Sequence, residues 1–421
     1  MNPIQRLSVW FLVVLSFLPG LSPLEFNFGF VVFPGVIWMV VLPIAAYLVA
    51  LNLICGGQLH PPFPAWPWMV WCIFVWASLL WANDVDHVGL REAMKLSLPI
   101  VLAVLASYAI SSSQDLRWLF AALGVSLVFL LGFAIAYALE AFEKDWMELL
   151  VRESALSATF IGSAFLAFFP RRKALALTGW GTALMVATLT SSRMAALSLL
   201  VILVVHPYGW GHWLRKLSLV ATCAAVGWFI FNTNTFQEHF FKSGQGTIAD
   251  VAGGEFQGLG RFEVWPQVWD VAWERPWFGF GVGSIHSIVP LLWKNMISIH
   301  NDYLRVFYEL GAVGFALTAV VCAWQLLALE RRIKSRDDDL VRTAFSAGWL
   351  GFWAMLVSCC TDNTMAYVMY VNPLFVVIGA AYGAARVDCR EQVAIKIAKR
   401  HNHEVMQDSL AGYLVSRTEG S

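Results

Sequence analysis

The chain predicts an all-α polytopic membrane protein of about 12 transmembrane helices with one large helical loop outside the membrane. Three observations carry this. Hydrophobic residues make up 59% of the 421 and charged ones only 13%, where soluble domains carry about 25% charged residues. Mean hydropathy is +0.65. Apolar runs recur from the N-terminus to residue 386, and their longest interruption is 233–302. A formal net charge of zero leaves no bulk attraction for nucleic acid. The expected partners are membrane lipids and molecules attached to lipids.

In chain order, Arg6 followed by LSVWFLVVLSFLP has the outline of a secretory signal. No A-x-A site follows and apolar runs continue at once, so it is read as the first membrane helix. The expected spans are 7–19, 36–54, 66–82, 92–110, 116–140, 154–169, 174–189, 194–207, 215–232, 303–328, 341–360 and 367–386. This organises the chain as helices 1–9 in 1–232, a large loop at 233–302, helices 10–12 in 303–386, and a polar tail at 387–421. Lys and Arg gather in alternate short loops, as in Arg171-Arg172-Lys173, Arg215-Lys216 and Arg331-Arg332. The positive-inside bias puts those loops and both termini in the cytoplasm and the 233–302 loop outside, on the periplasmic side of a Gram-negative cell. Cys55, Cys72, Cys223, Cys322, Cys359, Cys360 and Cys389 have no metal-ligand spacing and are expected as small buried hydrophobes.

Within the outer loop, Phe262, Trp265, Trp269, Ala272 and Trp273 recur at three and four, with Glu263, Gln267, Asp270 and Glu274 on the other side. That predicts an amphipathic helix at the membrane surface, with Pro266 in its first turn. Arg261 stands at its N-terminal end, where backbone amides favour anions; a plain surface arginine is the other reading. Arg193 ends the outer turn Thr190-Ser191-Ser192-Arg193. It either snorkels to fix a helix end or, against the positive-inside bias, meets a phosphate in bidentate fashion. His300 and Asn301 open the tenth span after the loop, near the headgroup plane. His300 is a structural hydrogen-bonder or a base. Arg305 and Glu309 lie one helical turn apart and are expected to pair.

Weaker signals are Gly279, Gly281 and Gly283 in GFGVG, which could expose amides to a phosphate but lack a nucleotide fingerprint's spacing and a preceding strand, and Asp84-Val85-Asp86, which has the D-x-D form of metal-using glycosyltransferases but reads better as a polar turn. His401-Asn402-His403 is assigned to a solvated tail.

The SSR turn at Arg193, Arg261 in GRFEVW, RPWFGFGVGS, and HNDYLRVFYELGAVG from His300, in that order on this topology, resemble the O-antigen ligase and polymerase superfamily of bacterial surface polysaccharide assembly. The resemblance implies a metal-independent, inverting glycosyltransferase of the membrane-embedded GT-C-like class, without cofactor. It would transfer a glycan from undecaprenyl pyrophosphate to the lipid A–core oligosaccharide at the periplasmic face of the bacterial inner membrane, in lipopolysaccharide biosynthesis. His300, Arg193 and Arg261 are then the expected catalytic residues, with Asn301, Tyr303 and Trp265 joining the arginines in substrate contacts. The neighbouring readings are an O-antigen polymerase, a protein O-oligosaccharyltransferase, and a lipid-linked oligosaccharide flippase. The short tail argues against the second. A flippase should line a central path with polar residues, and here they gather at one face.

Overall fold

The structure, a computed structural model, describes residues 2–20, 34–56, 60–82, 87–139, 148–206, 261–293, 298–335 and 339–386, together with scattered positions between 217 and 250. The elements among them are helices: α1 (Pro3–Phe17), α2 (Pro34–Gly56), α3 (Trp66–Ala77), α4 (His87–Ala109), α5 (Ser113–Ala138), α6 (Glu148–Leu166), α7 (Lys173–Leu189), α8 (Arg193–Val205), α9 (Arg261–Ala272), α10 (Ile285–Leu292), α11 (Asp302–Lys334), α12 (Asp339–Ser358) and α13 (Val368–Arg386). The expected spans coincide with helices except 215–232, which lies largely outside the described residues; Asp84, Asp86 and the tail at 387–421 lie wholly outside them.

Among the described residues, five helices are long and apolar enough to cross a membrane: Pro3–Gly20, α5, α11, α12 and α13. The expected number of 12 is not tested in full, because 215–232 lies largely outside the described residues; among the other expected spans, two features keep several below that length and apolarity. Helices α3, α7 and α8 contain 12, 17 and 13 residues, short of the roughly 20 that match a hydrocarbon core. Helices α4 and α6 begin with charge, as Arg91, Glu92 and Lys95 in one and Glu148, Arg152 and Glu153 in the other.

Burial divides the bundle into centre and periphery. Helix α13 is buried along its whole span and α12 along most of its length. By contrast Leu7, Trp10 and Val14 of α1, and Val125, Val128 and Phe129 of α5, remain exposed at helical spacing, the arrangement of lipid-facing stripes. Inside, indole N–H groups are satisfied by side chains: Trp68 Nε1 donates to Gln325 Oε1 at 2.9 Å and Trp71 Nε1 to Thr318 Oγ1 at 2.8 Å. Both bonds tie α3 to α11 where no water competes.

Helix α12 has a different neighbourhood at each end. Its N-terminal Asp339 forms an ion pair with Arg171, just before α7, at 2.7 Å. Near its other end Ser358 Oγ lies 2.9 Å from Ser198 Oγ of α8. His206, which caps the far end of α8, bonds the carbonyl of Leu166 at the end of α6. Helices α8 and α12 therefore run in opposite directions, and Arg193 shares an end of the bundle with the loop that follows Ser358.

Candidate active site

The SSR turn is a tight helix-to-helix corner. Ser192 N donates to Ala187 O at 2.9 Å and Ser191 N to Thr188 O at 3.0 Å, while Ser191 adopts φ 52°. This is a Schellman cap in which a serine occupies the left-handed position that glycine usually takes. Ser192 is then the N-cap of α8, so Arg193 is its first residue, exposed at the helix end.

His300 is the other non-glycine residue with positive φ, at 51°, among the described residues. Such strain persists only where the surroundings fix it. Asn301 follows as N-cap of α11, its side chain accepting from Leu304 N at 3.0 Å. Asp302 accepts from Met365 N at 2.7 Å through Oδ2, and its backbone N–H donates to Cys359 O at 2.9 Å. The start of α11 thereby pins the loop at 359–366, and that loop reaches back to the histidine. His300 Nδ1 lies 3.3 Å from Asp362 Oδ1 and 3.3 Å from the Asn363 amide, which also bonds Ser298.

Arg261 Nη1 donates to the carbonyl of Thr361 at 3.2 Å. Arg261 and His300 are thus held by adjacent residues of one loop, with Arg193 at the same end of the bundle. Asp362 and Asn363 were not among the residues expected from sequence; they lie after a buried span with no motif around them.

Helix α9 forms as expected, and the face it packs against the protein is a separate, smaller one. Val264, Val268 and Ala272 face inward, whereas Trp269 and Trp273 stay exposed. Pro266 is the sixth residue of the described helix, past the first turn, so the Phe262 carbonyl loses its usual intrahelical donor. The flanking aromatics form one wall of a groove of about 760 Å³, lined among others by Trp265, Trp269, Trp273, Tyr303, Phe307 and Phe315. Trp269 stacks on Phe307 with centroids 5.1 Å apart. The polar ends of the expected contact residues are taken by the protein: Trp265 Nε1 by Ile299 O at 2.7 Å, Tyr303 Oη by Leu356 O at 2.7 Å. These two residues offer the groove their rings rather than hydrogen bonds. Cys360 also lines the groove and is exposed, as is Cys55, against the expectation of burial; Cys322 and Cys359 are buried.

The expected Arg305–Glu309 pair exists, Nε to Oε2 at 3.2 Å, within a larger network. Arg305 Nη2 also donates to Glu92 Oε2 at 2.9 Å, and Lys95 Nζ to Glu92 Oε1 at 2.8 Å. His286 of α10 lies 4.0 Å from Glu92, and burial followed by the nearby Arg305 guanidinium lowers its pKa to about 4. Positive and negative charges at this depth are mutually compensated, which removes the main cost of placing them there.

The glycine segment serves the same junction. Phe280 N donates to Tyr308 O, Gly281 N to Glu309 O, Val282 N to Ser78 Oγ and Gly283 N to Glu309 Oε1. These amides are engaged by the protein, so they are not a phosphate cradle. Gly311, at φ 66°, breaks α11 here and its neighbour Ala312 N reaches Pro276 O at 2.7 Å. A Cβ on Gly279 would meet the Glu309 carbonyl at 2.5 Å, and one on Gly311 would collide with the Trp277 carbonyl. Close backbone approach, not ligand binding, explains these glycines.

The helices and the charged end of the bundle define a helical membrane protein with a polar site at one face of its core. Residues 179–319 match the family model described as O-antigen ligase. The matched stretch contains Arg193, Arg261, Trp265, His300, Asn301 and Tyr303, and ends before Asp362. No curated protein matches the chain.

Proposed function

We propose that this protein is an O-antigen ligase, transferring a glycan from undecaprenyl pyrophosphate to the lipid A–core oligosaccharide at the periplasmic face of the bacterial inner membrane. The observation that carries the reading is the joint anchoring of Arg261 and His300, both inside the matched stretch, on Thr361 and Asp362 beyond it, at the mouth of an aromatic groove.

The chemistry follows from these groups. The acceptor hydroxyl oxygen attacks the anomeric carbon from the face opposite the pyrophosphate, and the bond from that carbon to the phosphate oxygen breaks. The electron pair leaves with undecaprenyl pyrophosphate, whose charge Arg193 and Arg261 meet. The hydroxyl proton passes to His300 or is oriented by it. A carboxylate at Nδ1 favours the tautomer with the proton there and keeps Nε2 basic toward the acceptor. The ring-lined groove suits the isoprenoid chain, since its surfaces are apolar.

The test is reconstitution of the purified protein with lipid-linked glycan and lipid A–core in the presence of a chelator. Transfer onto the core is expected, as is tolerance of Asp84→Ala and Asp86→Ala. Strict dependence on magnesium or manganese, with loss in those variants, contradicts a site run by arginines. Chain extension of the lipid-linked glycan without transfer to core marks a polymerase instead.

A further inference from the structure

The end of α12 opposite the candidate active site holds a second cavity, of about 560 Å³, between α5, α7 and α12. With about 1.5 Å of rise per residue, the 20 residues of α12 put it on the order of 30 Å from the loop that holds His300. Its lip is basic: Arg117 of α5, and Arg171 and Arg172 just before α7, face one carboxylate, Asp339. Its floor is apolar, built on Phe120, Phe165 and Phe168.

We propose that this cavity binds the phosphate of an anionic phospholipid headgroup. Guanidinium groups meet phosphate oxygens with paired N–H donors, and three arginines against one aspartate leave the lip net positive. The Arg171–Asp339 pair at 2.7 Å is partly exposed on both sides, and such a pair holds its partners weakly, so a phosphate can displace Asp339 from Arg171. Arg172 is steadied from below, its guanidinium carbon 6.0 Å from the Phe168 ring centroid.

The surroundings fit a lipid rather than a soluble anion. Leu175 of α7 lines the cavity and is itself exposed, which gives an acyl chain apolar surface at the mouth. Basic residues also end α11 here, as Arg331, Arg332 and Lys334, so this is the end that charge bias assigns to the cytoplasmic leaflet, where anionic lipids attract basic clusters. Nothing in this inference depends on the transfer reaction.

The experiment measures thermal stabilisation of the full-length protein in neutral detergent on titration with phosphatidylglycerol, phosphatidylcholine or inorganic phosphate. Phosphatidylglycerol should stabilise at the lowest concentration. Arg117→Gln with Arg172→Gln should weaken its apparent affinity by on the order of fivefold per arginine. Ala121→Trp, which fills the cavity and leaves all three arginines, should also remove the effect, and it decides the matter if the arginine variants fail to fold. Equal stabilisation by inorganic phosphate would show a soluble-anion site and overturn the lipid assignment. Equal response to phosphatidylcholine, or an undiminished response in Ala121→Trp, would overturn the cavity as the binding site.

Discussion

His300 Nδ1 lies 3.3 Å from Asp362 Oδ1, across 62 residues of sequence. The contact joins the mouth of α11 to the loop after α12. Asp362→Asn keeps the shape and removes the charge. It should lower the turnover of glycan transfer roughly 10- to 100-fold, part of the about 10²–10⁴ that a positioned base contributes, with little change in donor binding. Turnover at wild-type level in this variant would remove Asp362 from the site.

Arg193 and Arg261 should each be needed for donor binding and transfer. Substitution by Ala should abolish transfer while the protein still reaches the membrane. Lys should rescue poorly, because an ammonium lacks the planar fork. For Arg261 the loss also includes its bond to Thr361 at 3.2 Å, so the loop at 361–363 should become more accessible to labelling in Arg261→Ala than in Arg193→Ala. Near-normal transfer in Arg261→Ala would contradict its assignment.

Much of the fold was legible because membrane helices must satisfy their own backbone and present apolar side chains, which leaves long runs in the sequence. The positions of Arg193, Arg261 and His300 at helix ends followed from the same reasoning. Asp362 was invisible for the opposite reason: it reaches His300 through a tertiary contact, and its neighbours Thr361 and Asn363 form no motif. The spacing of GFGVG already argued against a nucleotide site, but nothing local in the sequence reveals that Tyr308, Glu309 and Ser78 accept from its amides. The tryptophans of α9 marked it as a helix for the membrane surface, and Trp269 and Trp273 are indeed exposed; what they did not reveal is that the smaller Val264 and Val268 form its inward face.

Gly311→Ala should be strongly destabilising. At φ 66° an L side chain is strained and its Cβ collides with the Trp277 carbonyl, two effects that together cost on the order of 2–4 kcal/mol. Detergent-extracted protein should show a lower melting temperature and reduced monodisperse yield. Wild-type stability would mean that α11 does not break there.

Stability should fall on acidification through the range set by His286. Its folded pKa of about 4 lies below the ordinary 6.5, so between these values the unfolded chain binds a proton that the folded one excludes. Stability is therefore fully present above pH 6.5 and lost as pH drops toward about 4, by on the order of 3 kcal/mol in total. His286→Gln should flatten this part of the profile, and an unchanged slope would show that other groups set it.

The central claim is that His300 acts on the acceptor while the arginines hold the donor. The most direct measurement is glycan transfer and donor binding, side by side, for reconstituted His300→Ala. Transfer should fall by about 10²–10⁴-fold with lipid-linked donor still bound at close to wild-type affinity. Transfer at wild-type rate, or loss of donor binding equal to that of the arginine variants, would contradict it.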